Sequence, residues 1–221
     1  MTSGRRRAAR SAIVVLASPG PDSFEAEACA SVVRGLERNG HHVDVLDLHQ
    51  LGFVAAMSRA ERLAYVTDQP ILDPMVADHA QLVSVARTIV FVYPTIVWGM
   101  PAILKGWLER VLVAGVAFTL DPKSGRFRPG LKRLRRIVGV STYRSSRAEV
   151  WLFNDAGRRL VRRGLRMSAP RARTQWHGLY GIDRLGSDRA ERLGSDSADR
   201  LGSDSAERVE FLRRIEKAMV R

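Results

Sequence analysis

Two short polar stretches of this 221-residue chain carry groups able to hold an anion or a flat ring, and each follows an apolar run. Residues 18–24 read Ser-Pro-Gly-Pro-Asp-Ser-Phe. The hydroxyls of Ser18 and Ser23, with the free N–H groups at the start of the helix that Phe24 opens, make an anion cradle strengthened by the helix dipole. Ser23 also suits an N-cap, so a purely structural part is open to it. Residues 94–99 read Pro-Thr-Ile-Val-Trp-Gly, with Pro101 shortly after. Pro94 ends a strand, and Gly99 and Pro101 bracket a tight loop. The backbone N–H groups of Thr95, Ile96, Val97, Trp98 and Gly99 become donors there, and Trp98 is either a wall for a flat ring or an ordinary core residue. His79 has no second histidine, cysteine or carboxylate beside it at metal-ligand spacing, so no metal site is expected. Cys29 reads as a small buried apolar residue, and no catalytic nucleophile is assigned.

Alternating strands and helices position these stretches. Residues 12–17 form a buried strand, residues 24–39 a helix with Phe24, Ala28, Val32 and Leu36 on one face and Gly40 as its stop, and residues 43–48 a second strand, which together make a βαβ unit. Ser58 and Glu61 have capping-box spacing, and Asp73 caps a helix that Pro74 opens. The uninterrupted run at 89–93 is a fully buried strand, and Ile103, Leu104, Trp107, Leu108, Val111 and Leu112 follow at helical spacing. Residues 121–130 read as a projecting loop, 136–141 as a fourth strand, 147–164 as one helix, and 171–178 as the segment holding a fifth strand. Strands alternating with helices imply an α/β fold, a parallel sheet covered on both faces with ligands at its carboxyl end.

Composition narrows the function classes. A single cysteine excludes an intramolecular disulfide and fits a reducing, cytoplasmic compartment. The formal charge of +13 is mostly arginine spread along the chain, with no nucleic-acid motif beside it. Specific nucleic-acid binding is not expected, and the charge reads as a solvated basic surface that attracts anionic cofactors. The start resembles a secretory signal, but its apolar run at 12–17 is too short, so residues 1–11 read as a disordered basic tail. No apolar stretch is long enough for a transmembrane helix. Residues 184–207 repeat an octapeptide three times, RLGSDRAE, RLGSDSAD and RLGSDSAE. Copies so short and polar cannot bury a core, so they read as an insertion, a mobile loop or a frayed helix extension, in a single domain of residues 12–183 and 204–221.

The chain resembles the flavodoxin-like NAD(P)H:quinone oxidoreductases. The resemblance rests on Tyr93-Pro94, on Pro101-Ala102-Ile103-Leu104-Lys105-Gly106-Trp107 and on Gly115-Val116-Ala117-Phe118. Further support comes from the Ser18-to-Phe24 loop, Gly52-Phe53 and Tyr180-Gly181-Ile182-Asp183. It implies a flavodoxin-like open parallel five-stranded sheet of order 2-1-3-4-5 with helices on both faces, a bound flavin (FMN or FAD), NAD(P)H as co-substrate, a quinone-like acceptor, ping-pong turnover and a homodimer. The implied flavin residues are Ser18, Ser23 and Phe24 for the phosphate, Pro94, Thr95, Ile96, Val97, Trp98 and Gly99 for the ring, and Ser141, Thr142, Tyr143 and Arg144 for its far edge. Arg126, Arg128 and Arg144 are implied for the dinucleotide's phosphates. The chain departs from the family where a glycine pair usually stands, at Tyr143-Arg144 or Arg144-Ser145; these side chains either crowd the ring or let Arg144 neutralise charge developing on it. Ser18 stands where the family often has His, and Val97 where it often has a second aromatic. Two further readings stay open, a flavodoxin-fold ancillary subunit of the potassium-efflux type and a member that has lost its flavin.

Overall fold

The computed structural model describes residues 10–65, 67–121, 123–182 and 197–220, with side chains of the last helix described from 206 onward. Most of the arginine-rich tail, Asp183, the first octapeptide copy and most of the second lie outside the described residues.

Five parallel strands, β1 (Ser11–Leu16), β2 (His42–Asp47), β3 (Thr88–Pro94), β6 (Arg136–Tyr143) and β7 (Arg173–Tyr180), form one sheet in the order β2-β1-β3-β6-β7. Once the small hairpin of β4 (Phe118–Leu120) and β5 (Phe127–Pro129) is set apart, this is the expected 2-1-3-4-5 order. β1 and β3 are apolar along their length because both faces of each are covered. Successive side chains alternate between two cores. Ile13, Val15 and Phe91 join Leu104 and Trp107 of α4 (Ala102–Val111) on one face. Ala12, Val14, Val90 and Val92 join α1 (Phe24–Arg38) and α8 (Ser197–Met219) on the other, through Val32, Leu36, Phe211, Ile215 and Met219.

The local start and stop signals act as their chemistry requires. Ser23 accepts from the Ala26 N–H at 3.2 Å, and Gly40 after α1 has φ 74°. The Ser58 and Glu61 capping box opens α2 (Arg59–Ala64), and Asp73 accepts from the Met75 N–H at 2.8 Å to open α3 (Pro74–Val85). Buried Arg110 of α4 ties these helices together, with its guanidinium 2.6 Å from Glu61 Oε1 and 2.8 Å from Asp73 Oδ2.

Two expected segments differ. Residues 147–164 are not one helix: α5 (Arg147–Leu152) ends, Asn154 takes φ 57°, and Asp155 caps α6 (Ala156–Arg159). A π-helical turn (Leu160–Gly164) then leads into α7 (Leu165–Ser168). Asn tolerates the left-handed region and Asp is a strong N-cap, so this pair restarts the helix despite continuous apolar spacing. The expected 121–130 loop contains strand β5, only the residues before Phe127 forming the tip of the β4–β5 hairpin, whose Phe118 and Phe127 rings stack at 5.2 Å. α8 also begins inside the second octapeptide copy and contains all of the third. No helix among the described residues is long and apolar enough to cross a membrane.

Candidate ligand site at the carboxyl end of the sheet

The turn after β3 holds two of the three non-glycine residues with positive φ among the described residues. Ile96 and Gly99 exchange two backbone hydrogen bonds of 3.0 Å, which forces Val97 and Trp98 to φ 45° and 58°. Two left-handed central residues are what a tight hairpin turn of this kind demands, and Asn-Gly usually supplies them. A β-branched valine there is strained. It buries little in return, being 90% exposed. The turn's own bonds use the amides of Ile96 and Gly99 and leave those of Val97 and Trp98 to outside partners.

Neighbouring loops hold this turn in place. The Thr95 N–H donates to Thr142 O at 2.8 Å, and the hydroxyls of Thr95 and Ser141 lie 2.8 Å apart. Trp98 stacks on Phe153 with ring centroids 4.3 Å apart, and the Ala156 N–H donates to Trp98 O at 3.3 Å. Phe153 and Ala156 are fixed by buried Asp155, which accepts from the Tyr143 hydroxyl and, at 2.9 Å, from the Arg158 N–H. Burial, with the neighbouring Asp155 carboxylate, pushes the Tyr143 phenol well above its ordinary range, so it stays a donor. Tyr143 is 2% exposed and stacks on Tyr180 at 4.6 Å. Its ring is therefore part of the support and does not crowd the loop. Arg144 is the exposed residue of the pair.

The first polar stretch holds a surprise. The buried Ser18 hydroxyl donates to Glu25 Oε2 at 3.2 Å, and the Thr142 hydroxyl donates to Glu25 Oε1. Glu25 is itself 8% exposed and stands in the first turn of α1. The expected anion cradle thus contains the chain's own carboxylate, while the Ser23 hydroxyl is used as the N-cap. The Phe24 ring packs away against Phe211 at 6.0 Å. Arg126 and Arg128 sit on the β4–β5 hairpin, where Arg128 pairs with Asp121.

Pro94, Thr95, Ile96, Val97, Trp98 and Gly99 are thereby brought together with Ser18, Ser141 and Thr142 at the carboxyl ends of β1, β3 and β6. Sequence reasoning missed Glu25, Phe153 and Asp155. The Asn-Asp pair at 154–155 was a usable signal for the last two, because it interrupts a helical pattern with a stop and a cap. For Glu25 the sequence offered only an acidic residue in a first helical turn, the commonest place for one.

A flavin ring and its phosphate pose separate demands on this site. The ring portion fits: two backbone N–H groups of a braced turn, beside an indole, are left unused by the turn's own bonds. The phosphate portion does not, because a buried carboxylate already accepts from both available hydroxyls.

The chain matches the family described as Flavodoxin-like fold over residues 10–208. It is 32% identical over 127 residues to NAD(P)H dehydrogenase [quinone] 1 of Rattus norvegicus, an alignment covering 51% of this chain and 46% of that protein. The chain spans about half the length of the curated relatives it matches. The NAD(P)H:quinone oxidoreductase of Methanothermobacter marburgensis superposes with a TM-score of 0.74 at 22% identity, over 96% of this chain and 98% of that one. A Bacillus anthracis FMN-dependent NADH-azoreductase, solved with FMN, superposes with a TM-score of 0.68 at 14% identity, over 95% and 97%. At such identities the superpositions speak for the fold alone.

Proposed function

The chain belongs to the flavodoxin-like-fold family, and from that premise we propose that it is a flavin-dependent oxidoreductase moving hydride from NAD(P)H to a quinone or a similar flat acceptor. The observation that carries this reading is the strained, braced turn at Val97 and Trp98, because strain persists where function requires it. A flavin, FMN or FAD, would supply the hydride-transfer chemistry when bound, with the two substrates taking turns in a ping-pong cycle. The protein's part is position and electrostatics. The amides of Val97 and Trp98 would hydrogen-bond the polar edge of the ring, the Trp98 indole and exposed Ile96 would flank it, and Ser141 and Thr142 would line its far side. No side chain is assigned proton transfer. Relatives named as quinone dehydrogenases support this acceptor class.

Exposed apolar side chains crowd the same end of the sheet: Val97, Trp151 (82% exposed), Leu152 and Phe153. The proposal therefore includes a homodimer that covers them, in a reducing cytoplasm suited to a chain with one cysteine.

Steady-state oxidation of NADH and NADPH, followed at the nicotinamide band with a soluble naphthoquinone and added FMN or FAD, tests the activity. Flavin-dependent turnover with parallel double-reciprocal lines is the expected result. Flavin binding with no turnover on any quinone would instead favour the ancillary-subunit reading.

A further inference from the structure

We propose that Glu25 is the specificity-determining residue of the cofactor pocket, an internal anion that fills the phosphate slot and sets the chain against the phosphate of FMN. The inference rests on the flavin reading above. Glu25 stands in the first turn of α1, where the helix dipole favours a negative charge. It draws together donors from two separate strand ends: Ser18, just past β1, and Thr142, near the end of β6. Both hydroxyls are buried, and both are spent on the same carboxylate. Among the described residues Glu25 forms no ion pair with a lysine, arginine or histidine, so its charge is held by hydroxyls and helix dipole alone. These are the contributions a phosphate needs at the start of such a helix.

A phosphate entering the slot meets a like charge in a partly dehydrated setting and must displace the carboxylate from both hydroxyls. Apart from Thr142, which borders both and stays partnered when the charge is removed, the ring slot is separate, built by the Val97 and Trp98 turn and its Phe153 and Asp155 support. Ring and phosphate therefore contribute independently, and the phosphate's contribution is small in this chain. A glutamine at position 25 keeps the size and the hydrogen-bonding capacity while removing the charge, so the hydroxyls remain partnered and the slot becomes neutral.

The test compares riboflavin with FMN, which share the ring and ribityl chain and differ by the phosphate. Each is titrated, by quenching of flavin fluorescence, into the wild-type protein and into the Glu25→Gln variant, with circular dichroism confirming that both are folded. The wild-type protein is expected to bind the two within threefold of each other. Glu25→Gln is expected to tighten FMN at least fivefold relative to riboflavin and to leave riboflavin within threefold of wild type. Inorganic phosphate should weaken FMN binding to the variant more than to the wild type. A riboflavin-to-FMN affinity ratio that changes less than fivefold on substitution overturns the assignment of Glu25 while leaving the ring slot intact. Failure of both proteins to bind either flavin overturns the flavin reading and this inference with it. If Glu25→Gln is unfolded, Glu25→Ala takes its place. That variant likewise removes the charge from the slot, so the same ratio must again rise at least fivefold, and a smaller change overturns the assignment.

Discussion

His177 of β7 has its Nε2 buried without a hydrogen-bond partner. Burial, reinforced by the positive charges of Arg214 and Arg136, pushes its pKa down to about 4. The folded chain therefore refuses a proton that the unfolded chain accepts near pH 6.5. Above that pH both states carry a neutral imidazole and the full stability is present; as the pH falls from 6.5 towards 4, stability is lost, by at most about 3 kcal/mol from this group. Denaturant melts between pH 4 and 7 should show that decline, and His177→Gln should shallow it. The slope will not vanish, because burial also lowers the pKa of His79 and His41. An unchanged slope in the variant would contradict the assignment. Burial, with a small effect of Asp47, likewise raises Cys29 to about 12, so a disulfide reagent at pH 8 should leave the native thiol untouched and titrate it only after unfolding. At this scale the sequence was most legible where partners are local. Ser23, Ser58 and Asp73 each cap a helix, and the amide that donates to each side chain lies two or three residues on. Glu25 was not legible, because its partners Ser18 and Thr142 meet it only once β1 and β6 are laid side by side with β3 between them.

The strain in the turn after β3 can be relieved without touching the core. Val97→Gly removes a side chain that is 90% exposed from a φ of 45°, which glycine accepts at no steric cost. The gain is of order 1 kcal/mol, partly offset by the greater entropy of glycine in the unfolded chain, so a thermal melt should shift upwards by a few degrees. A lower midpoint would mean that the valine has a packing role the structure does not show. The contact of α1 with α8 has the opposite sensitivity. A methyl group at Gly35 would stand 2.4 Å from Glu216 O and 2.6 Å from the Met219 Cβ, both on α8. Gly35→Ala should therefore push the helices apart and cost about 2 kcal/mol or more, measured by denaturant unfolding. Elements were read correctly wherever the pattern was long and unambiguous, as in β1, β3, α1 and α3. The helix at 147–164 was misjudged because its apolar spacing runs on through Phe153 and Leu160, whereas the Asn154 and Asp155 backbone restarts it. The β4–β5 hairpin has three-residue strands, too short to show a period.

For the whole molecule, parallel pairing and strand order follow from the alternation of apolar strands with amphipathic helices, and that alternation is visible in the sequence. The crevice proposed for the ligand, at the carboxyl ends of β1, β3 and β6, was visible there too, because an open parallel sheet leaves its crevice at that end. What the residues do inside that crevice depended on which strand ends become neighbours, which pattern alone does not give. The charge of +13 favours anionic ligands over the whole surface, yet the one buried anion slot of the site is occupied by Glu25. The functional reading stands or falls with the Thr95-to-Gly99 turn as a slot for a flavin ring. Titrating riboflavin, FMN and FAD into the purified protein and into Trp98→Ala, with flavin fluorescence as the signal, tests it most directly. Saturable one-to-one binding of at least one flavin to the wild type, weakened tenfold or more in a folded Trp98→Ala variant, is expected; no saturable binding of any of the three, or equal affinity in the variant, would overturn the ring slot.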